Sequence, residues 1–311
     1  MTLPYFSQTR VRHRCYPDPL LEVNRELTER QRSKIRQTPF KWLMQIPEHL
    51  QINGSLLKEL TIRWEEQSLA FVIQNKLVPF TPVDVCLALG LHILGENVSL
   101  QSDTEVKGHC YTKKLFEGKK ITSLTIYDQL QKYKADEHVD DFCRLYVLLS
   151  FALFYLPNTK HTVPDALVRI LDSEVHSLHK YSWGVLVYDV LVDSLNSMAI
   201  GLKEATISHQ INIIGCAAVL QIWALEHLVL SPKISAATLN TFPRVLGWNP
   251  LVTRQMNLSK LFKTCCVYEE VVVANEDLHD DILREALEKA PSGFCHWCPT
   301  FVKSKKEQTR T

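Results

Sequence analysis

Residues 142–156 read FCRLYVLLSFALFYL, and thirteen of these fifteen side chains are apolar. A bilayer-spanning helix needs about 20 apolar residues and rarely carries a central charge. This stretch is shorter and contains Arg144. Residues 211–230 are long enough but include Glu226 and His227. We therefore predict two buried core helices of a globular fold and no membrane partner.

Working outward, the apolar periodicity predicts four long helices, at about 141–156, 165–179, 183–200 and 210–230. Earlier in the chain a polar helix is predicted over about 21–37, and another follows the capping signal at Asn53. Residues 69–80 show two short apolar runs around a polar turn, the pattern of a β-hairpin. Thr81-Pro82 then begins a further helix. The predicted fold class is mainly α, a multi-helix domain with a small β-hairpin near residues 69–80.

Four segments follow from these patterns. Residues 1–37 are predicted to be a basic N-terminal arm and helix, and residues 38–250 a helical core. Residues 251–302 are predicted to be a mixed C-terminal extension, with a strand near 267–274 and a helix at 280–289. The lysine-rich tail at 303–311 has the composition of a disordered segment.

Composition narrows the compartment and the partners. The formal net charge is +1, which gives no global attraction to nucleic acid or to a membrane. The nine cysteines are scattered and odd in number, as expected for free core thiols in a reducing compartment. The N-terminal residues show no apolar signal-peptide segment. We expect an intracellular protein.

The sharpest local motif is Cys295-His296-Trp297-Cys298. Two thiolates at this spacing suit tetrahedral zinc, but a structural site needs four ligands, and Cys265, Cys266 and His279 are not in a standard spacing with them. A redox role and a coincidental pair remain as alternatives. We predict that Cys295 and Cys298 hold no zinc.

Acidic residues offer a second kind of site. Asp189 and Asp193 lie four residues apart on one helix, and Glu226 interrupts another apolar helix. These three carboxylates define one alternative function, a fragment of a DNA-processing or hydrolytic enzyme. A buried glutamate usually needs a cationic partner. The lone arginine of the other apolar helix provides one, so we predict a structural Arg144–Glu226 pair.

The N-terminal segment defines the candidate nucleic-acid contact. Residues 1–41 contain nine Lys or Arg residues and four acids. On one continuous helix, Arg25, Arg32 and Arg36 would share a face and follow a phosphate backbone. Binding of this kind would be weak, non-specific and strongly dependent on salt. No phosphate loop, dinucleotide fingerprint, zinc-protease motif or nucleophile elbow occurs, so we predict no cofactor and no catalytic activity.

Several short motifs in a fixed order carry a family resemblance. They are Phe80-Thr81-Pro82-Val83-Asp84-Val85, Tyr181-Ser182-Trp183-Gly184, Leu220-Gln221-Ile222-Trp223-Ala224-Leu225-Glu226 and Pro243-Arg244 with Trp248. The chain resembles, over about residues 38–250, the plant mobile domain (aminotransferase-like). It equally resembles the related uncharacterised domain that precedes ubiquitin-like (SUMO) protease domains in plant transposon-derived proteins.

The resemblance implies a transposon-derived helical domain, nuclear, with an unidentified protein partner and unsettled activity. The protease half is not expected, because too little chain follows Trp248. Read physically, Trp183, Gly184 and Trp223 are predicted fold determinants: the indoles bury large areas and need hydrogen-bond acceptors, and the glycine permits close approach of a neighbour.

Overall fold

The long apolar stretch forms a helix at the centre of the protein. The structure is a computed structural model and describes residues 10–48, 50–100, 110–203, 210–229, 241–247, 258–271, 273 and 277–289. The described α-helices are α1 (Asp18–Arg25), α2 (Glu29–Arg36), α3 (Gly54–Arg63), α4 (Pro82–Leu89), α5 (Tyr111–Lys114), α6 (Ser123–Lys132), α7 (Val139–Ser150), α8 (Asp165–Ile170), α9 (Trp183–Lys203), α10 (Ala217–His227), α11 (Leu258–Thr264) and α12 (Asp281–Lys289). The mainly α prediction is confirmed.

Shorter elements connect these helices. Tight 3₁₀ turns occur at Lys41–Gln45, Asp136–His138, Val175–Lys180, Arg244–Gly247 and Asp277–His279, and α7 continues as a π-helical turn over Phe151–Tyr155. The described strands are β1 (Arg10–His13), β2 (Trp64–Glu65), β3 (Ala70–Ile73), β4 (Lys76–Pro79), β5 (Gln210–Ile213), β6 (Leu228–Val229) and β7 (Cys266–Val267).

The predicted hairpin is confirmed. β3 and β4 pair antiparallel, with Phe71 opposite Val78, and β2 adds a third strand beside β3. Gln74 and Asn75 form the turn with φ angles of 50° and 65°. Positive φ at both central residues matches the turn geometry that suits the twist of a two-residue hairpin.

Residues 210–213 were predicted to be helical, but the structure places them in a strand. β5 pairs in parallel with β1, and Ile211 and Ile213 are buried while Gln210 and Asn212 are less so. This alternation has the period of a strand. The helix α10 begins only at Ala217, after Gly215 with φ of 93°.

The predicted N-terminal arm and single helix are also wrong in the described range. Thr28 accepts the Gln31 amide hydrogen, and the Gln31 side chain accepts from the Thr28 amide, which begins a second helix at Glu29. Cys15, Leu20 and Ile35 are buried in the main hydrophobic core. Residues 10–37 are therefore part of the core.

The main core is built around α7, its π-helical continuation, α9 and α10. Phe40, Phe151 and Trp183 meet there, with ring centroids 5.2–5.3 Å apart. By length and composition alone, Trp183–Gly201 could cross a membrane. In this fold 61% of that stretch is buried, as expected for a core helix.

A smaller hydrophobic cluster joins the C-terminal extension to α4. Val83 and Leu87 of α4 are buried together with Leu283 and Leu287 of α12. The predicted helix near 280–289 is confirmed as α12, whereas the strand predicted at 267–274 is reduced to β7 with one isolated bridging residue, Val273, in the described range. The tail at 303–311 lies outside the described residues.

Candidate functional site

Five ionisable side chains form a buried charge cluster where α4, α10 and the C-terminal turns meet. Its members are Asp84, Glu226, His227, Arg244 and Asp277. Each side chain is between 0% and 4% exposed. Charges this deeply buried require partners, because desolvation penalises every unpaired ion.

Arg244 is the centre of one half of the cluster. Its Nη1 and Nη2 donate to the two carboxylate oxygens of Asp277, at 2.7 Å and 2.5 Å. Its Nε donates to Glu226 Oε1 at 3.2 Å, and Nη1 also reaches the Thr241 carbonyl at 3.1 Å. This forked geometry is specific to a guanidinium. It fixes the 3₁₀ turn at Arg244–Gly247 to both α10 and the segment before α12.

Asp84 and His227 form the other half. Asp84 Oδ2 accepts from the Thr81 amide at 2.7 Å and from the Thr81 hydroxyl at 2.8 Å, which caps α4. Its other oxygen, Oδ1, lies 2.9 Å from His227 Nε2. The second ring nitrogen, Nδ1, lies 2.7 Å from the Tyr268 carbonyl oxygen. Both partners are acceptors, so both ring nitrogens must carry hydrogen and His227 is an imidazolium.

The electrostatics agree with this assignment. Burial alone would lower the pKa of His227, but the Asp84 carboxylate, the Tyr268 carbonyl and the nearby Glu226 outweigh it, and the pKa is raised. Three carboxylates face two cations only when His227 is protonated, which is the state closest to neutrality. The cluster is thus a paired interior network.

The predicted partner of Glu226 is wrong. Arg144 lies on α7, where its Nη1 donates to Asp141 Oδ1 at 3.0 Å and its Nε donates to the Leu171 carbonyl at 3.1 Å. The Arg144 side chain is 18% exposed. Asp141, one helical turn earlier, gives Arg144 a local partner, whereas Glu226 on α10 is bound by Arg244.

The two predicted tryptophan determinants find the acceptors that their indoles need. Trp183 Nε1 donates to the Leu178 carbonyl at 2.7 Å, and Trp223 Nε1 donates to the Pro79 carbonyl at 3.0 Å. Trp223 also stacks on the His227 ring, with centroids 5.0 Å apart. Trp223 therefore forms one wall of the buried charge cluster.

Gly184 lies where α9 begins against the segment after α4. Its amide donates to the His92 carbonyl at 2.7 Å. A Cβ at this position would lie 2.7 Å from Ile93 Cγ2 and 3.0 Å from the His92 oxygen, closer than normal contacts. The close approach predicted from the sequence is confirmed.

We expect Gly184→Ala to lower the free energy of unfolding by about 1–3 kcal/mol, because the added methyl group overpacks this contact. Urea denaturation measures the change. The matched control is Gly54→Ala at the start of α3, where a Cβ would make only one ordinary contact, 3.4 Å from the Val11 carbonyl. Equal stability of the two variants would show that the close approach has no energetic role.

A groove of about 570 Å³ lies between α9 and β5. The hydroxyl of Ser194 on α9 accepts from the Ile214 amide at 3.0 Å and joins the two walls. The described residues that line the groove are Leu100, Val190, Asp193, Ser194, Ser197, Met198, Gln210, Ile211, Asn212 and Ile214. An apolar floor with a few polar groups is the usual composition of a binding site.

The structure does not gather the three carboxylates of the hydrolytic alternative. Asp189 and Asp193 are exposed on α9, and partial burial followed by the Asp193 charge raises the pKa of Asp189. Glu226 instead lies in the buried charge cluster. Within the described residues, no group of three or more His, Cys, Asp or Glu side chains is arranged to hold a metal ion.

The predicted nucleic-acid face is divided between two helices. Arg25 on α1 pairs with Glu48 at 2.8 Å, and Arg36 on α2 pairs with Glu29 at 2.6 Å. The Arg32 Nη2 donates to the Asn24 carbonyl at 2.8 Å. The single helical face is wrong, because α1 ends at Arg25 and the capping box at Thr28 starts a new helix.

The buried cysteines in the described part of the chain are poor candidates for chemistry. Six of the seven are buried, and none of these seven is in a disulfide. Burial raises the pKa of Cys143 to about 12 and raises that of Cys86 further. A thiol with such a pKa supplies little thiolate for nucleophilic attack or metal binding. Cys295 and Cys298 lie outside the described residues.

The sequence did not lead us to predict three members of the buried charge cluster, Asp84, Arg244 and Asp277, which surround Glu226 and His227. Asp84 was named only as part of the motif that begins at Phe80. Arg244 had a readable signal, since it is a lone cation between Phe242-Pro243 and Val245-Leu246. Asp277 had none, because its segment shows no apolar periodicity.

Comparisons with known proteins place these features in a plant context. The family described as "Domain of unknown function (DUF8566)" matches residues 13–221. "Protein MAIN-LIKE 2" of Arabidopsis thaliana is 24% identical over 255 residues, which cover 78% of this chain and 37% of that protein. "Protein MAINTENANCE OF MERISTEMS" of Arabidopsis thaliana is 23% identical over 300 residues, or 92% of this chain and 56% of that protein.

These matches support the plant part of the predicted resemblance, at low sequence identity. The chain spans 37% and 56% of the length of these two relatives, respectively. No solved structure matches the chain. The matched family region includes α1 and α2, in agreement with their place in the core.

Proposed function

We propose a function for this chain, which belongs to the DUF8566 family of domains of unknown function. It is a non-catalytic protein-interaction module of transposon origin that acts in the nucleus. Its similarity to two MAIN-type plant proteins supports a role in plant cells. The motifs shared with plant mobile domains are the ground for the transposon origin and for the nuclear location.

The observation that carries the proposal is the groove between α9 and β5. Val190, Ile211 and Ile214 give it apolar surface, and Asp193 and Asn212 supply polar groups at its sides. Parallel pairing places Arg12 beside Asn212, so the surface next to the groove also carries an exposed cation. Apolar contact with charges of both signs suits a protein segment better than a phosphate backbone.

The buried charge cluster supports the absence of catalysis. A general base needs a ring nitrogen that faces a substrate. Both nitrogens of His227 are occupied, by Asp84 and by the Tyr268 carbonyl, and the ring is 2% exposed. The nitrogens of the Arg244 guanidinium are likewise occupied, because they donate to Asp277 and Glu226. We assign these groups to stability. The carboxylates named for the hydrolytic alternative are divided between the surface of α9, with Asp189 and Asp193, and the buried charge cluster, with Glu226.

The test compares two isoleucines of the same region. Ile214 lines the groove and is 37% exposed, whereas Ile200 is 47% exposed on α9 and does not line it. We expect Ile214→Glu to reduce by at least tenfold the nuclear proteins that the full chain captures from plant extract, because a charge would be desolvated in the interface. Ile200→Glu is expected to capture the same proteins as the unchanged chain.

Quantitative mass spectrometry of matched captures provides the measurement, and circular dichroism confirms that both variants are folded. An identical set of proteins on Ile214→Glu and on the unchanged chain would exclude the groove as the interface. Turnover of a phosphodiester or peptide substrate by the purified chain would contradict the non-catalytic assignment.

A further inference from the structure

A second surface, formed by two loops and the start of α6, is independent of the groove. Thr122 forms an antiparallel bridge with Thr162, and the Ser123 amide donates to the His161 carbonyl at 2.9 Å. The Thr125 hydroxyl donates to the Lys120 carbonyl at 2.8 Å. These bonds bring the loop before α6 and the loop before α8 together at one end of α6.

This surface, here named the lysine patch, carries cations without acidic partners. Its lysines are Lys114, Lys119, Lys120 and Lys160, and all four are exposed. Among the residues that the structure describes, none of the four forms an ion pair, whereas Lys113 beside them is paired with Asp165. The exposed acids on the same segments are Glu117, Asp128 and Asp165, and Asp165 is already paired with Lys113. The patch therefore keeps an excess of positive charge.

A leucine lies within the lysine patch. Leu124, in the first turn of α6, is 69% exposed, more than any other large apolar side chain in the described part of the chain. It follows Ser123, which bonds to His161, and precedes Thr125, which bonds to Lys120. An exposed leucine next to the loops that carry these unpaired cations offers a ligand one apolar contact and several charge contacts.

We propose that the lysine patch binds an acidic peptide segment that presents an apolar side chain to Leu124. Aspartate and glutamate of the segment pair with Lys119, Lys120 and Lys160, while its apolar side chain covers the leucine. Charge complementarity speeds the encounter, and the apolar contact holds the bound state. The partner is thus defined as an acidic, leucine-containing or similarly apolar protein segment.

Two other anionic partners fit the patch less well. Nucleic acid gains nothing from Leu124, and Tyr111, an exposed ring on α5, is engaged with the Arg144 guanidinium and the Asp141 carboxylate. An anionic membrane would gain only one leucine of apolar surface. Even a complete acyl chain gives marginal membrane attachment by itself.

Fluorescence anisotropy with the full chain tests the proposal. The probe is a labelled peptide in which aspartate and leucine alternate, and its control is the same peptide with serine in place of leucine. We expect Lys119→Glu with Lys160→Glu, and separately Leu124→Ser, each to weaken probe binding by about tenfold or more. The serine peptide should bind the unchanged chain with a similarly reduced affinity.

Matched controls are available in the same molecule. Lys132→Glu changes an exposed lysine at the other end of α6, and Leu77→Ser changes a leucine that is 50% exposed on β4. Both are expected to bind the probe as the unchanged chain does. Because Ile214→Glu alters the groove alone, it should also retain probe binding, which separates failure of this proposal from failure of the proposed function.

Three results would overturn the proposal. One is equal probe affinity of the patch variants and the unchanged chain. The second is tighter binding of a labelled DNA duplex that depends on the lysines and is indifferent to Leu124→Ser. The third is patch-dependent binding to phosphatidylserine vesicles that exceeds binding to the peptide. The second and third results would assign the lysine patch to nucleic acid or to a membrane surface, respectively.

Discussion

Replacing Arg244 with methionine is expected to lower the free energy of unfolding by about 3–5 kcal/mol, because it leaves two buried carboxylates without their cation. Asp277 loses a bidentate partner and Glu226 loses the contact at 3.2 Å. Methionine retains much of the side-chain volume, so the effect reports mainly on charge. Urea denaturation of the full chain, followed by circular dichroism, provides the measurement.

A triple variant separates charge from packing. Arg244→Met combined with Glu226→Gln and Asp277→Asn removes the uncompensated charges, and we expect it to recover part of the lost stability. Arg25→Met removes the exposed ion pair with Glu48, and little change is expected. If Arg244→Met unfolds at the same urea concentration as Arg25→Met, the buried charge cluster does not support the fold.

Replacing His227 with phenylalanine is expected to cost about 3–5 kcal/mol at pH 6, since the buried Asp84 loses its cationic donor. Phenylalanine can preserve the stacking on Trp223. The folded protein binds the His227 proton more tightly than the unfolded chain does, because the pKa of His227 is raised. The stability from this proton is complete below about pH 6.5 and is lost as the pH rises through the folded-state pKa.

The difference in stability between the unchanged protein and His227→Phe should therefore shrink as the pH is raised above neutrality. Denaturation at a series of pH values measures it. His176, whose side chain is 73% exposed, provides the control, and His176→Phe should keep nearly the stability of the unchanged protein. Parallel pH curves for the unchanged protein and His227→Phe would contradict a buried imidazolium.

Local signals in the sequence predicted much of the fold. Thr81-Pro82 with Asp84 contains the whole cap of α4, and the two apolar runs around Gln74 and Asn75 contain the hairpin. The helix predicted at residues 210–213 is wrong because the prediction rested on apolar content and not on its spacing. Ile211 and Ile213 alternate with polar residues, which is the period of a strand. Thr28 followed by Gln31 is a capping-box pattern, which predicts that a second helix begins within the polar segment.

The candidate sites depend on contacts that no local pattern contains. Arg144 and Glu226 were matched because each is a lone charge in an apolar helix. Arg144 instead forms an ion pair with Asp141, three residues earlier. Glu226 pairs with Arg244, which comes from a 3₁₀ turn. The lysine patch was missed for a similar reason, since the loops that carry Lys120 and Lys160 are joined by the bridge between Thr122 and Thr162.

The parallel pairing of β1 with β5 has a consequence for synthesis of the chain. Arg10 pairs with Gln210, so the first described strand finds its partner only after 200 further residues have been added. At roughly 5–20 residues per second, that interval lasts on the order of 10–40 s. During this interval, the edge of β1 that later pairs with β5 has no partner strand. The helix α3, which packs beside β1, is already synthesised. Nascent chains that end before residue 210 should therefore expose β1 to proteases and chaperones that the finished protein excludes.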